Sequence, residues 1–262
     1  MPSRFIATLR PLLATTGLVA LLAITPAHLA SAANLDVPYV PTPQEVVDRM
    51  LALGEVKADD YLIDLGSGDG RIPVTAAKRF GSRALGVDLN PVRIQEAQAN
   101  AREAGVTDKV QFKEQNLFDT PIGEANVLTM YLLPSVNIQL RPRILNELAP
   151  GSRVVSHAFD MQDWQPDHQE MVDGRTVYLW IVPAKVEGLW KVQGDKPFTL
   201  DLKQRFQAVE GTASIDGKPT TLTDVRLRGK QLEFTLDGKR HSVTVDGNTM
   251  TAKQGGWRAT RT

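Results

Sequence analysis

Apolar positions along the chain follow two regimes. Between residues 33 and about 187, short continuous apolar runs alternate with stretches in which apolar residues recur every three or four positions. Val46, Val47, Met50, Leu51 and Leu53 have helical spacing, and further helices are predicted at 73–80, 91–104 and up to the end of one at 143–148. Strands are predicted at 61–63, 84–87, 110–112, 125–132 and 153–156. Strand–helix alternation predicts an α/β fold with a mostly parallel sheet covered on both faces. After Gly188 the helical period disappears. Asp216-Gly217, Asp237-Gly238 and Asp246-Gly247 punctuate alternating runs such as Leu232-Glu233-Phe234-Thr235-Leu236, a hairpin pattern. Residues 188–262 therefore form a predicted antiparallel all-β module, with Trp190 and Trp257 as candidates to close its core.

The first 32 residues follow neither regime. Arg4 and Arg10 flank the start of an apolar run, residues 12–24, followed by Pro26 and the small residues Ala30-Ser31-Ala32-Ala33. This is the layout of a secretory signal peptide, and it predicts export, in a bacterium to the periplasm. The alternative is an uncleaved segment that anchors the protein to the membrane.

Charge sharpens the division. The chain of 262 residues holds 30 basic and 30 acidic residues, which argues against general coating of nucleic acid. Residues 188–262 carry 13 basic and 8 acidic residues, net +5, while residues 33–187 carry 15 and 22, net −7. The basic excess is either solvated surface or a face that docks on an anionic partner, its own acidic neighbour included. There is no cysteine, which excludes disulfides, thiolate metal sites and a cysteine nucleophile. The acids Asp160, Asp163 and Asp167 near Trp164 have no metal-binding spacing and are expected to form a solvated loop.

The candidate chemistry lies in Asp64-Leu65-Gly66-Ser67-Gly68-Asp69-Gly70-Arg71, between a predicted strand and a predicted helix. Gly66, Gly68 and Gly70 allow a tight turn and close approach of a ligand to helix N-terminal amides. A dinucleotide loop would place a small residue where Arg71 stands. Asp64 would repel a pyrophosphate but welcome a ligand ammonium. Asp88, at the tip of the next strand, is placed to accept from ribose hydroxyls. These features point to a cationic, phosphate-free nucleoside such as S-adenosyl-L-methionine. Thr42-Pro43-Gln44-Glu45 has the form of a capping box that fixes the first helix, leaving Tyr39 and Val40 to lie across the cleft as a lid.

The sequence resembles the class I S-adenosylmethionine-dependent methyltransferases, in particular the lysine methyltransferase branch of the ATP synthase c-subunit type. The resemblance rests on Pro38-Tyr39-Val40-Pro41-Thr42, residues 64–72, Tyr131-Leu132-Leu133-Pro134, Leu140-Arg141-Pro142 and residues 150–157, and it spans roughly residues 36–183. It implies a Rossmann-like methyltransferase sheet over 33–187. Asp64, Gly66 and Gly68 would hold the methionine part of the cofactor and Asp88 the ribose. Asn116 and Leu117 would meet the adenine, although many relatives carry an acid where Asn116 stands. Tyr131 and Pro134 would mark the acceptor site, with a protein lysine as the candidate acceptor. His157 is a weaker candidate for a base than for a structural histidine. An exported, non-catalytic binding protein that keeps the cleft as a scaffold and works through the basic module is the alternative.

Overall fold

The computed structural model describes residues 1, 39–194, 196–253 and 256–262. The signal-peptide reading falls on residues that lie, apart from Met1, outside the described ones. No helix among the described residues is long and apolar enough to cross a membrane.

Seven strands form the first sheet: β1 (Tyr61–Leu65), β2 (Arg83–Asp88), β3 (Val110–Glu114), β4 (Val127–Met130), β5 (Arg153–His157), β6 (His168–Val172) and β7 (Arg175–Ile181). Their spatial order is β3-β2-β1-β4-β5-β7-β6. The first five are parallel, and β7 runs antiparallel to both β5 and β6. Four helices cover the faces: α1 (Gln44–Leu53), α2 (Arg71–Phe80), α3 (Pro91–Ala104) and α4 (Pro134–Glu147). Each face buries its own apolar layer, one including Met50, Ala76, Ala97 and Phe112, the other Met130, Leu140, Trp164 and Trp180. The order of connection reverses between β1 and β4, so a crevice opens there at the carboxyl ends of the strands.

The local chemistry explains where the helices begin and end. Asn90 caps α3 by accepting from the Val92 amide at 3.0 Å, with Pro91 in the first position. Gly81 and Gly105 end α2 and α3 in left-handed conformation. The predicted capping box at α1 does not form. Its N-cap is Pro43, which makes no side-chain cap, and the Thr42 hydroxyl is instead 3.1 Å from His157 Nδ1. The carboxyl-terminal strand pair was also absent from the sequence reading. Its turn, Asp173-Gly174, has φ 49° and 72°, the same chemistry as the later Asp-Gly hairpins. Helix α4 runs through Pro142 and ends at Glu147, within the helix end predicted at 143–148.

Nine strands form the second sheet: β8 (Gly188–Gln193), β9 (Phe198–Arg205), β10 (Ala208–Ile215), β11 (Lys218–Thr221), β12 (Thr223–Arg228), β13 (Gln231–Leu236), β14 (Lys239–Asp246), β15 (Thr249–Ala252) and β16 (Arg258–Arg261). The order β11-β10-β9-β8-β16-β15-β14-β13-β12 pairs the first strand with the last. The two end strands, β11 and β12, are separated in the chain only by Leu222, so the sheet curls into a nearly closed barrel and little free edge is left. Trp190, Phe234, Met250 and Trp257 lie in its core.

Both sheets belong to one compact unit, Ala33–Thr262. The expected solvated loop around Trp164 is part of the seam between them. Trp164 is fully buried and stacks on Phe206 with ring centroids 6.0 Å apart. Asp163 pairs with Arg141 and, at 2.9 Å, with Arg205 of β9. The Ala184 amide donates to the Gly229 carbonyl, and a Cβ on Gly229 would sit 3.0 Å from the Gly151 Cα. This acidic loop is not free because the module needs an apolar floor, and Trp164 supplies it. Trp164→Ala is expected to cost about 3–5 kcal/mol and to expose the 183–188 connection. Urea unfolding and limited proteolysis check both effects.

Candidate active site

At the crevice between β1 and β4, the chain leaves β1 through three glycines. The Gly66 and Ser67 amides both donate to the Val87 carbonyl at 2.9 Å, knitting the loop to β2. Gly68 has φ 52°, and a Cβ there would lie 2.5 Å from the Tyr39 ring. Gly70 has a different task. It begins α2 at φ 77°, and a Cβ would strike Phe112 at 2.4 Å, so it is required for helix–sheet packing.

Three carboxylates crowd around this loop. Asp64 is 2% exposed and accepts from the Thr129 hydroxyl at 2.7 Å. Burial pushes its pKa up to about 7, the negative charges of Asp88 and Asp69 add to the rise, and the Thr129 hydrogen bond opposes it. Asp88 accepts from the Gly68 amide at 2.9 Å and from the Asn90 amide at 2.8 Å, one on each oxygen. Asp69 is chelated by Arg71, whose Nε donates at 2.9 Å to one oxygen and 3.1 Å to the other.

Residues 39–42 run over the cleft as a strap. The Tyr39 ring lies between Gly68 and the Arg93 guanidinium, whose carbon is 4.4 Å from the ring centre. The Thr42 carbonyl accepts from Arg71 Nη1 at 2.8 Å. On the other side, Tyr131 follows β4, with its ring centre 3.9 Å from that of His157 and 6.2 Å from that of Phe159.

Tyr39, Asp64, Gly66, Gly68, Asp88 and Tyr131 line this cleft together. Gly70, Asn116, Leu117 and Pro134 are not among its walls. Asn116 accepts from the Phe118 amide at 2.9 Å and caps a short turn, while Leu117 packs against the second apolar layer. Pro134 opens α4. Asp69 and Arg93 also line the cleft, with no role predicted for either, and so do Thr42 and Arg71, for which the sequence predicts other roles. The available signal was the Asp69-x-Arg71 pair inside the glycine loop, an acid and a base spaced to chelate each other.

The family model described as the ANTKMT methyltransferase domain matches residues 64–168. A protein-lysine N-methyltransferase of Saccharolobus islandicus is 48% identical over 151 residues, which are 94% of that protein and 56% of this chain. The chain belongs to the class I S-adenosylmethionine-dependent methyltransferases. The mouse adenine nucleotide translocase lysine N-methyltransferase is 37% identical over 134 residues, 51% of this chain and 58% of that protein. The chain thus covers little more than half of that relative's length. A solved structure from Salinibacter ruber, described as an RNA methyltransferase in complex with S-adenosyl-L-homocysteine, is 51% identical, with a TM-score of 0.55, and is matched over 96% of its length and 56% of this chain. These matches favour the enzyme over a non-catalytic scaffold.

The methyltransferase uses S-adenosyl-L-methionine, and its cleft fits that cofactor. The Ser67 hydroxyl is buried and has no hydrogen-bond partner among the described residues. The crowded acids leave Asp64 poised for a positive group, because an ammonium nearby would restore its ionised form. The three carboxylates among the cleft's walls, Asp64, Asp69 and Asp88, agree with a cationic sulfonium nucleoside.

The raised pKa of Asp64 has a definite sign. In the free protein it destabilises the fold above about pH 7, and that penalty is relieved as pH falls toward the ordinary carboxylate range. Binding of a ligand ammonium needs the ionised form, so affinity for S-adenosyl-L-homocysteine is expected to fall roughly tenfold per pH unit below about 7. Asp64→Asn is expected to weaken binding and to flatten that slope. Calorimetric titration between pH 5.5 and 8 measures both.

Proposed function

We propose that this methyltransferase methylates the side-chain amine of a protein lysine. The observation that carries the reading is the meeting, across one crevice, of an acid-rich cradle and an aromatic wall. The relatives named as lysine methyltransferases support it.

When bound, the cofactor supplies an electrophilic methyl group on a sulfonium. The chain's own part is alignment and exclusion of water. Asp64, Gly66 and Gly68 would hold the methionine end and Asp88 the ribose. Tyr39 would close the cleft over the cofactor. An attacking lysine must be neutral, which costs roughly 4–5 kcal/mol at pH 7 from its ordinary pKa. The Tyr131 ring, backed by His157 and Phe159, offers an apolar wall that lowers an amine's pKa by desolvation. The Tyr131 hydroxyl orients the amine, and Pro134 opens α4 just beyond it. Burial first, and the positive charge of Arg175 second, hold His157 down at about 4, so this imidazole is neutral at working pH.

The acceptor is a protein of the cell envelope on the reading that residues 1–32 direct export. Incubation of the purified enzyme with methyl-labelled cofactor and an envelope extract is expected to label protein, and acid hydrolysis to release methyl-lysine. Asp88→Ala is expected to reduce incorporation at least tenfold, from the loss of two loop hydrogen bonds as well as the ribose acceptor. Label confined to RNA would overturn the lysine assignment. Export is checked separately: periplasmic fractions of an expressing cell should contain a chain whose first residue lies near Ala33.

A further inference from the structure

Thr42 and His157 are 115 positions apart in sequence and are both buried, with 4% and 1% exposure. Neither burial is explained by an apolar core, since one is a hydroxyl and the other an imidazole. Each group makes two contacts that point to opposite ends of the cleft. The Thr42 hydroxyl meets His157 Nδ1 at 3.1 Å, while its carbonyl accepts from Arg71, which grips Asp69 of the cofactor loop. The His157 ring meets Thr42 on one atom and supports the Tyr131 ring, 3.9 Å away between centres and tilted by 37°.

We propose that His157 is a positioning residue for methyl transfer: its imidazole fastens the strap through Thr42 and sets the Tyr131 ring, so that closure over the cofactor and the shape of the acceptor wall depend on one side chain. The proposal deepens the methyltransferase reading and rests on it.

Three features support this arrangement. His157 is the last residue of β5, and its backbone pairs with Val177 of β7. Its position is therefore rigid compared with the strap, which is an irregular segment ahead of α1. The Thr42 hydroxyl has left the helix-capping role that its sequence context offers and bonds the imidazole instead. A neutral ring suits the task. It can pair with a hydroxyl and pack against an aromatic face without carrying a buried charge.

Four variants separate positioning from simple packing. His157→Phe keeps a flat ring against Tyr131 but cannot bond Thr42. Thr42→Val keeps the strap's shape but removes the hydroxyl. Thr42→Ser restores it. The fourth is the double variant Thr42→Val with His157→Phe. Hydrogen exchange of residues 39–47 in the free protein and calorimetric binding of S-adenosyl-L-homocysteine are the readouts.

Thr42→Val and His157→Phe are each expected to speed strap exchange and weaken binding about fivefold, the effect of one buried hydrogen bond. Thr42→Ser should recover the wild-type values. The double variant should be no worse than either single variant, because both remove the same bond. Unchanged exchange in Thr42→Val and His157→Phe, or effects that multiply in the double variant, would overturn the proposal. Should wild-type protein fail to bind S-adenosyl-L-homocysteine while the exchange pattern holds, the functional reading fails and the latch stands.

Discussion

Three carboxylates stand at the end of two neighbouring strands, and the rest of the site is arranged around keeping them there. Asp64, Asp69 and Asp88 repel one another, and the effect appears in Asp64, which burial and its two neighbours push up to about 7. Each acid is restrained by a different device. Thr129 holds Asp64, a pair of backbone amides holds Asp88, and a chelating arginine holds Asp69. The devices differ in strength in a way that suits a binding site. Asp69 is neutralised within the loop by Arg71, Asp88 is hydrogen-bonded but keeps free lone pairs, and Asp64 receives one side-chain donor, the Thr129 hydroxyl, among the described residues. The least compensated acid is also the most buried one, so a cation entering the cleft finds its largest electrostatic gain at the bottom.

The same loop sets the geometry of everything above it. Arg71 holds Asp69 and also donates to the Thr42 carbonyl, and Asp88 holds Gly68, over which Tyr39 lies. A side chain at position 68 would push the strap away, so the absence of a Cβ there serves the closing of the cleft as much as the approach of a ligand. On the far side the strap is tied to β5 rather than to its own helix. This exchange of partners weakens the start of α1, which has no side-chain cap, but fastens the strap to the sheet.

The parts of the molecule that were legible in the sequence are those whose signals are local. The five parallel strands, the α3 cap at Asn90 and the turns at Asp216-Gly217 and Asp237-Gly238 are each written within a few residues. So was the grouping of Asp64, Gly66, Gly68 and Asp88, because a parallel sheet brings the tips of adjacent strands together. What escaped were partnerships formed across the fold. The Thr42 hydroxyl had a plausible local role in a capping box, and only the chain folding back brings His157 to it. Trp164 and its acids looked like a polar loop, since the residue that covers them, Phe206, lies 42 positions later. Asn116 and Leu117 were singled out by family position alone, and locally they serve a turn and an apolar layer.

The charge asymmetry of the chain takes its meaning from that seam. A net −7 region followed by a net +5 region invites a search for an external anionic partner. The structure brings the two together: Asp163 is shared between Arg141 and Arg205, and Asp167 faces the charge of Arg228. Exposed ion pairs of this kind contribute little to stability, with a median of about 0–1 kcal/mol. The adhesion comes from Phe206 on Trp164 and from the backbone approach of Gly229 to Gly151, where a side chain at position 229 has no room. The charges instead fix which faces meet, since like charges at the seam would resist docking. On that account part of the module's basic excess is spent within the molecule, and the acidic loop it covers follows directly from β5, whose last residue, His157, backs the Tyr131 ring.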